Sequence, residues 1–444
     1  LEKDIVLGTA LVDMYVKCGV LVKAQQVHNE LYIRDVVSWS ALIAGYAQQG
    51  QGHEALNCFG QMHGECHLPN AVTFTCILKA CANIGDVDKG KQIHVAIASR
   101  SFLEKDIVLG TALVDMYAKC GVLLRAQQIL EELPSRNIVS WSALIAGYAQ
   151  QGQAHEALNC FECMQREGFS PDEVTLISIL KACGNIGAIE KGIEIHDKLV
   201  SRGLLDKDIM LGTALLDMYV KCGVLTKAQQ VLEELPVRNV VSWSALIAGR
   251  VQRGQGHEAL HSFEQMQNEG LSPNVVTFFC ILKACGSTGN IEKGKQIHEA
   301  IMNRGMLIED VVLGDALVDM YVKCGVLDKA QQVLEELPVR KVVSWNALIS
   351  GYTQQGQCHE ALNCLQWMQT EGLAPNVVTF VCILKACGRM GAIDKGKQVY
   401  YDLVTKGLME KHIVFGNALV DMYAKCGAVA KARRVLEDLP LRNI

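Results

Sequence analysis

Apolar positions recur along this chain with a helical period that is interrupted at regular intervals. In 107–137, Ala112, Leu113, Met116 and Tyr117 fall on one side of a 3.6-residue period. Cys120-Gly121 then break the pattern, and Ala126, Ile129, Leu130 and Leu133 line a second apolar stripe. In 36–70 the first stripe is Trp39, Leu42, Ile43 and Tyr46, the break is Gln49-Gly50, and the second stripe is Ala55, Leu56, Phe59 and Met62. Each segment predicts a pair of helices. A pair this short cannot bury both stripes by itself, but a stack of pairs can, so the pattern predicts an all-α solenoid.

The interruptions keep strict time. Lys-Cys-Gly begins at Lys17, Lys119, Lys221, Lys323 and Lys425, and Ser-Trp at Ser38, Ser140, Ser242 and Ser344, each step being 102 residues. Constant spacing without insertions is expected where every unit must fit its neighbours in one geometry. The period divides into units of 35, 36 and 31 residues. The 31-residue units are 5–35, 107–137, 209–239, 311–341 and 413–443. The 35-residue units are 36–70, 138–172, 240–274 and 342–376. The 36-residue units are 71–106, 173–208, 275–310 and 377–412. Together they make thirteen units in one array over 1–444. All eight prolines stand near unit ends: Pro69, Pro171, Pro273 and Pro375 in the 35-residue kind, and Pro134, Pro236, Pro338 and Pro440 in the 31-residue kind. Proline breaks helices, so the unit interiors are left free to be helical.

Composition narrows the functional classes. Half of the residues are hydrophobic and 20% are charged, which argues against a disordered chain. The 42 basic against 47 acidic residues argue against a strongly basic nucleic-acid binder. Eighteen cysteines in 444 residues are too few for a disulfide scaffold. No apolar run reaches the roughly 18 residues of a membrane helix, so no membrane partner is expected. The chain starts at Leu1 without a signal or transit sequence and reads as a segment of a longer protein.

The three unit types resemble, in rotation, the pentatricopeptide repeats of the plant PLS class. The P-like units read VVSWSALIAGYAQQGQGHEALNCFGQM from Val36, and the L-like units VVTFFCILKACGSTGNIEKGKQIH from Val275. The S-like units read IVLGTALVDMYAKCGVLLRAQQILEELPSRN from Ile107. The resemblance covers essentially the whole chain. It implies a right-handed superhelical α-solenoid that binds single-stranded RNA at about one nucleotide per repeat, the 5′ end lying at the protein N-terminus. No DNA partner and no cofactor are expected.

In the family the fifth and last residues of a repeat read the base edge, and the second residue sandwiches the base. Carried over, Thr9 with Asp35 and Ser142 with Asp172 resemble guanine readers. Ser40 with Asn70, Thr111 with Asn137, Thr213 with Asn239, and Ser244 with Asn274 resemble adenine readers. Asn346 with Asn376 and Asn417 with Asn443 resemble pyrimidine readers. The sandwiching positions are Val37, Val72, Val108, Val139, Val174, Met210, Val241, Val276, Val312, Val343, Val378 and Val414. Asp315 with Lys341 matches no usual pair. Of the L-like units only one has a polar pair, Thr75 with Asp106; the others carry Ile177, Phe279 and Val381 at position five. The implied ligand is 5′-GAnAGnAAnnYnY-3′. A carboxylate only accepts hydrogen bonds while an amide also donates, which gives the Asp/Asn distinction a mechanism. The same residues also fit a simpler description, with the fifth an exposed first-turn residue and the last an N-cap of the next helix.

Two lysine files recur every 102 residues: Lys17, Lys119, Lys221, Lys323 and Lys425 in S-like units, and Lys79, Lys181, Lys283 and Lys385 in L-like units. Both are candidates for phosphate contact, and both suit the C-terminal half of a helix dipole. His257-Glu258-Ala259-Leu260-His261 matches a zinc-protease pattern, but His53, His155 and His359 open HEALN in the other copies, so one substitution creates the match. Cys160 and Cys163 form a lone CxxC; the recurrent cysteines such as Cys76, Cys81, Cys280 and Cys285 lie on apolar faces and read as buried thiols. No metal site is expected.

PLS proteins commonly end in E and DYW domains, the latter resembling a zinc cytidine deaminase; neither pattern occurs before Ile444, so this chain is expected to bind and not to catalyse. The resemblance points to the recognition tract of a mitochondrial or chloroplast C-to-U editing factor, with accessory editing proteins as further partners through the L-like repeats. The alternatives are an organelle splicing, stability or translation factor, and a protein-binding scaffold.

Overall fold

The computed structural model describes residues 5–100, 106–205, 208–405 and 413–438. It is an all-α repeat solenoid: twenty-seven helices and, among the described residues, no strand. Thirteen consecutive helix pairs account for all but one of them, the extra single turn Met306–Glu309. The first helices of the pairs begin at Ile5, Val36, Ala71, Ile107, Ile138, Glu173, Ile209, Val240, Val275, Val311, Val342, Val377 and Ile413. The chain divides into two compact units, Leu1–Pro236 and Val237–Ile444.

Within each unit one packing rule repeats. A first helix touches its own second helix and the next first helix, and a second helix touches the next first helix. First helices therefore carry the core on two sides, which is why their apolar stripes are wide. Val36–Gln48 buries Trp39, Leu42, Ile43, Tyr46 and Ala47, and Ile107–Lys119 buries Leu109, Leu113, Val114, Met116 and Tyr117. Leu56 and Ala112, expected in the stripes, are only half-buried.

Each break within a pair is a tight turn. Gly85, Gly187, Gly289 and Gly391 cap their helices at φ of 69° to 74°, left-handed backbone that costs a glycine no Cβ clash. Close approach selects glycine elsewhere. In S-like units a Cβ on Gly110 would lie 2.3 Å from Leu133 Cδ2, and one on Gly212 would lie 2.2 Å from Leu235 Cδ2.

The junction from an S-like to a P-like unit carries a polar clasp. Arg136 donates from Nε to Leu130 O (2.9 Å) and from Nη2 to Glu131 O (3.2 Å), closing the C-terminus of the S-like second helix. It also pairs with Glu167, whose other oxygen accepts the indole N–H of buried Trp141 at 3.1 Å. The sets Arg34–Glu65–Trp39 and Arg340–Glu371–Trp345 repeat the arrangement, and Glu269 likewise pairs with Arg238 and accepts from Trp243.

Candidate nucleic-acid interface

The unit-end residues begin helices. The side chain of Asp35 accepts from Ser38 N at 2.8 Å, Asn70 from Thr73 N at 2.9 Å, Asn137 from Ser140 N at 2.8 Å and Asp172 from Thr175 N at 2.9 Å. Asn239, Asn274 and Asn376 do the same for Ser242, Thr277 and Thr379 at 2.9 to 3.1 Å. Asp106 accepts from Val108 N and Leu109 N. The N-cap description of these residues is thus correct, and it fixes their orientation. An amide that caps must turn Oδ1 to the backbone N–H, which leaves Nδ2, a donor, on the other side. A capping carboxylate leaves a second acceptor there. Asn443 lies outside the described residues.

Five of the fifth residues lie beneath the caps rather than out in solvent. Ser40, Thr111, Ser142, Ser244 and Asn346 are 4% to 9% exposed. Asn137 Nδ2 donates to Thr111 Oγ1 at 3.2 Å, Ser142 Oγ donates to Asp172 Oδ1 at 2.9 Å, and Asn346 Nδ2 donates to Asn376 Oδ1 at 3.0 Å. Thr75 and Thr213 instead turn back to the carbonyls of Ala71 and Ile209. Thr9 is half-buried and Asn417 exposed. A residue that sequence reasoning passed over completes the cluster in the P-like units: the Thr three places after the cap. Thr73, Thr175 and Thr277 lie 2.6 to 2.7 Å, hydroxyl to hydroxyl, from Ser40, Ser142 and Ser244, and Thr379 Oγ1 donates to Asn346 Oδ1 at 2.6 Å. The signal was present as Asp or Asn followed three residues later by Ser or Thr at most junctions.

The second residues form an exposed apolar file. Val37, Val72, Val108, Val139, Val174, Met210, Val241, Val276, Val312, Val343, Val378 and Val414 are 48% to 64% exposed, and Val6, in the equivalent place of the first repeat, is 79% exposed. One exposed valine is ordinary, but an apolar side chain at the same point of every first helix, valine in all but Met210, is a surface kept apolar and, where β-branched, stiff.

One repeat departs from the scheme. Lys341 is exposed and has no acceptor to offer as a cap. Ser344 Oγ donates instead to the carboxylate of Asp315 at 2.8 Å. The S-like lysines Lys17, Lys119, Lys221, Lys323 and Lys425 are each ion-paired, at 2.7 to 2.8 Å, with the aspartate one turn earlier.

The other candidate chemistries have simple surroundings. His257 and His261 lie on the helix Gly256–Asn268, and among the described residues no three His, Cys, Asp or Glu side chains gather as a metal site. All eighteen cysteines are free thiols. Burial pushes Cys160, Cys81 and Cys285 up to about 12, far from a reactive thiolate at neutral pH. Among the described residues no helix is long and apolar enough to cross a membrane.

Helix pairs stacked at this period, with capped polar pairs beneath an apolar file, define an array of helical-hairpin repeats. The chain belongs to the pentatricopeptide repeat family. The model for the PPR repeat family matches 34–83, 136–185, 238–287 and 340–389, and the PPR repeat model matches 213–240, 315–342 and 378–408, which together span more than half of the chain. The chloroplastic pentatricopeptide repeat-containing protein At4g18520 of Arabidopsis thaliana is 36% identical over 87% of this chain and 62% of its own length. The mitochondrial protein At3g09040 of the same plant is 35% identical over 100% of this chain and 43% of its own length. The chain therefore spans under two thirds of these relatives. Among solved structures, the pentatricopeptide repeat protein PPR10 from maize superposes with a TM-score of 0.66 at 22% identity, over 98% of this chain and 68% of that one. PPR10 in complex with an 18-nt psaJ RNA element superposes with a TM-score of 0.52 at 18% identity, over 98% and 74%. These likenesses share the fold.

Proposed function

We propose that this chain binds single-stranded RNA in a sequence-specific manner, about one base per repeat, with 5′-GAnAGnAAnnYnY-3′ as its ligand. The observation that carries the reading is the orientation of the unit-end side chains by helix capping. A capping Asn holds out Nδ2, a donor suited to adenine N1. A capping Asp holds out an oxygen, an acceptor suited to guanine N1–H and N2–H. The fifth residue acts mainly from below, by holding the unit-end side chain, as Thr111 holds Asn137 and Ser142 holds Asp172. The neighbouring valines supply stiff apolar contact for base faces. Asp315 with Lys341 presents no cap-fixed atom and is left unassigned. That PPR10 has been crystallised with RNA supports the same reading.

The P-L-S rotation supports a finer reading: the recognition tract of a C-to-U RNA-editing factor, with the array of S-like, P-like and L-like repeats as its reading frame. Relatives named chloroplastic and mitochondrial support a location in one of those organelles. The binding part is tested by equilibrium titration of this chain with the thirteen-nucleotide RNA and a scrambled copy. Scrambling is expected to weaken binding by about a hundredfold or more, since each mismatch costs ~1–3 kcal/mol. Equal affinities would refute it. For the editing part, organelle transcripts of plants lacking the protein are sequenced. Loss of conversion at a cytidine 3′ of a matching element is expected, and intact editing with altered splicing or abundance would refute it.

A further inference from the structure

The residue three places after a unit end follows the type of the unit. It is Thr after every P-like unit, Ser after every S-like unit that another unit follows, and Leu or Phe after every L-like unit. The two kinds of hydroxyl bond differently. Ser140 Oγ and Ser242 Oγ donate to the backbone carbonyls of Asn137 and Asn239, at 2.9 and 2.8 Å. Thr73, Thr175, Thr277 and Thr379 are fully buried and turn to side chains instead. Oγ1 of Thr73, Thr175 and Thr277 donates to Oδ1 of Asn70, Asp172 and Asn274 at 2.6 to 3.0 Å. The same oxygen accepts each threonine's backbone N–H at 2.9 Å. In the P-like repeat 36–70 the threonine is the whole link between the fifth residue and the unit end. Ser40 Oγ lies 2.7 Å from Thr73 Oγ1, and among the described residues no hydrogen bond joins Ser40 to Asn70. A hydroxyl has one hydrogen, and that of Thr73 goes to Asn70, so its oxygen accepts from Ser40.

We propose that Thr73, Thr175, Thr277 and Thr379 are positioning residues for base choice at the P-like repeats, relaying the fifth residue to the unit-end side chain; the proposal rests on the RNA-binding reading above. The backbone N–H decides which end of the Asn70 amide faces inward, but one bond leaves the amide free to swing, because the terminal torsion of Asn is broad. A second donor from another direction stops the swing and sets the direction of Nδ2. Threonine suits the task, since it is β-branched, restricted in rotamer and here buried. The S-like repeat 107–137 has no such relay: Thr111 meets Asn137 directly, and the Ser140 hydroxyl bonds only backbone atoms.

Base preference at the second nucleotide, the one assigned to Ser40 and Asn70, reads this out. RNAs differing only there are titrated against the parent, Thr73→Val, Thr73→Ser, Ser40→Ala and the double variant Ser40→Ala with Thr73→Val, and thermal midpoints are recorded for each. Thr73→Val keeps the shape and the capping N–H but removes the hydroxyl. It is expected to lower the ratio of adenine to guanine affinity at the second nucleotide about fivefold, the contribution of one ordinary hydrogen bond, and to leave the ratio at the fourth nucleotide unchanged. Thr73→Ser keeps a hydroxyl beneath a buried Ser40 that needs an acceptor, and is expected to hold the parent ratio. Ser40→Ala is expected to lower the ratio by itself and to add nothing in the Thr73→Val background, because Ser40 acts through Thr73. An unchanged ratio in Thr73→Val, an equal fall at the fourth nucleotide, an equal fall in Thr73→Ser, or additive losses in the double variant overturns the relay and leaves RNA recognition standing. Where Thr73→Val does not fold, a parent-like ratio in Ser40→Ala overturns it. No binding of the parent to any single-stranded RNA overturns both readings.

Discussion

Replacing Asn137 by Asp separates capping from reading within one side chain. In the parent, Oδ1 accepts from Ser140 N at 2.8 Å, and Nδ2 donates to Thr111 Oγ1 at 3.2 Å. Asn and Asp are equivalent N-caps, so the helix Ile138–Gln150 keeps its start, and stability changes by no more than about 0.5 kcal/mol. The Thr111 hydroxyl can turn to donate to the new carboxylate, the arrangement that Ser142 and Asp172 already adopt at 2.9 Å. What changes is the outward atom. Adenine loses a donor and meets an acceptor, at a cost of ~1–3 kcal/mol, while guanine gains hydrogen bonds to a charged group. The preference at the fourth nucleotide therefore moves from adenine towards guanine by about 2–3 kcal/mol, or roughly 30- to 150-fold in the ratio of affinities. Competition titrations with RNAs differing only at that nucleotide measure it, and thermal midpoints check the fold. An unchanged ratio, or equal loss on both bases, in a protein with the parent's thermal midpoint would refute the orientation argument.

Two further outcomes test the scaffold. Glu167→Ala removes the shared acceptor of Arg136 and the buried Trp141 indole, and is expected to cost about 1–3 kcal/mol in urea unfolding; a cost below about 0.5 kcal/mol would show that the clasp contributes little. His28→Leu is expected to stabilise, because His28 is 0% exposed with neither ring nitrogen hydrogen-bonded, while Leu130, Leu232 and Leu334 hold the equivalent place. Burial pushes His28 from 6.5 down to about 4, so the folded protein keeps the ring neutral while the unfolded chain protonates it as pH falls below about 6.5. The stability advantage of the variant must therefore be larger at pH 5 than at pH 8; an equal advantage at both would refute the assignment.

The fold class was legible because a solenoid writes its geometry into the chain as a period, and the stripes at Trp39 to Tyr46 and Ile129 to Leu133 are buried where the pattern put them. The polar positions were legible as positions, but their depth was not. Ser142 is a first-turn residue in a sequence and would be exposed on an isolated helix; stacking covers it, and its partner Thr175 is 33 residues away. The lysines show the opposite case. Asp115 stands four residues before Lys119, so their i,i+4 ion pair was legible in the chain. Charge at one position says little until its neighbours on the same helical face are counted.

Capping also explains why the unit-end position draws on so small a set of residues. A side chain that must accept from a backbone N–H at a helix start is limited chiefly to Asp, Asn, Ser and Thr, and of these the first two carry a second polar atom that can face outward. Helix initiation thus restricts the alphabet available for recognition to one donor and one acceptor, and any finer discrimination must come from the residue beneath. Lys341 tests the logic from the other side. It places a cation at the positive end of the helix Val342–Gln354, where the dipole disfavours it, and no atom of its side chain can accept. The carboxylate missing from that end is found at position five of the same unit, where Asp315 reaches Ser344 at 2.8 Å. The exchange keeps an acceptor at the helix start but removes the oriented outward atom. On the RNA-binding reading proposed above, a repeat can therefore lose its reading role while its fold is maintained, because the two demands meet in one side chain but are not the same demand.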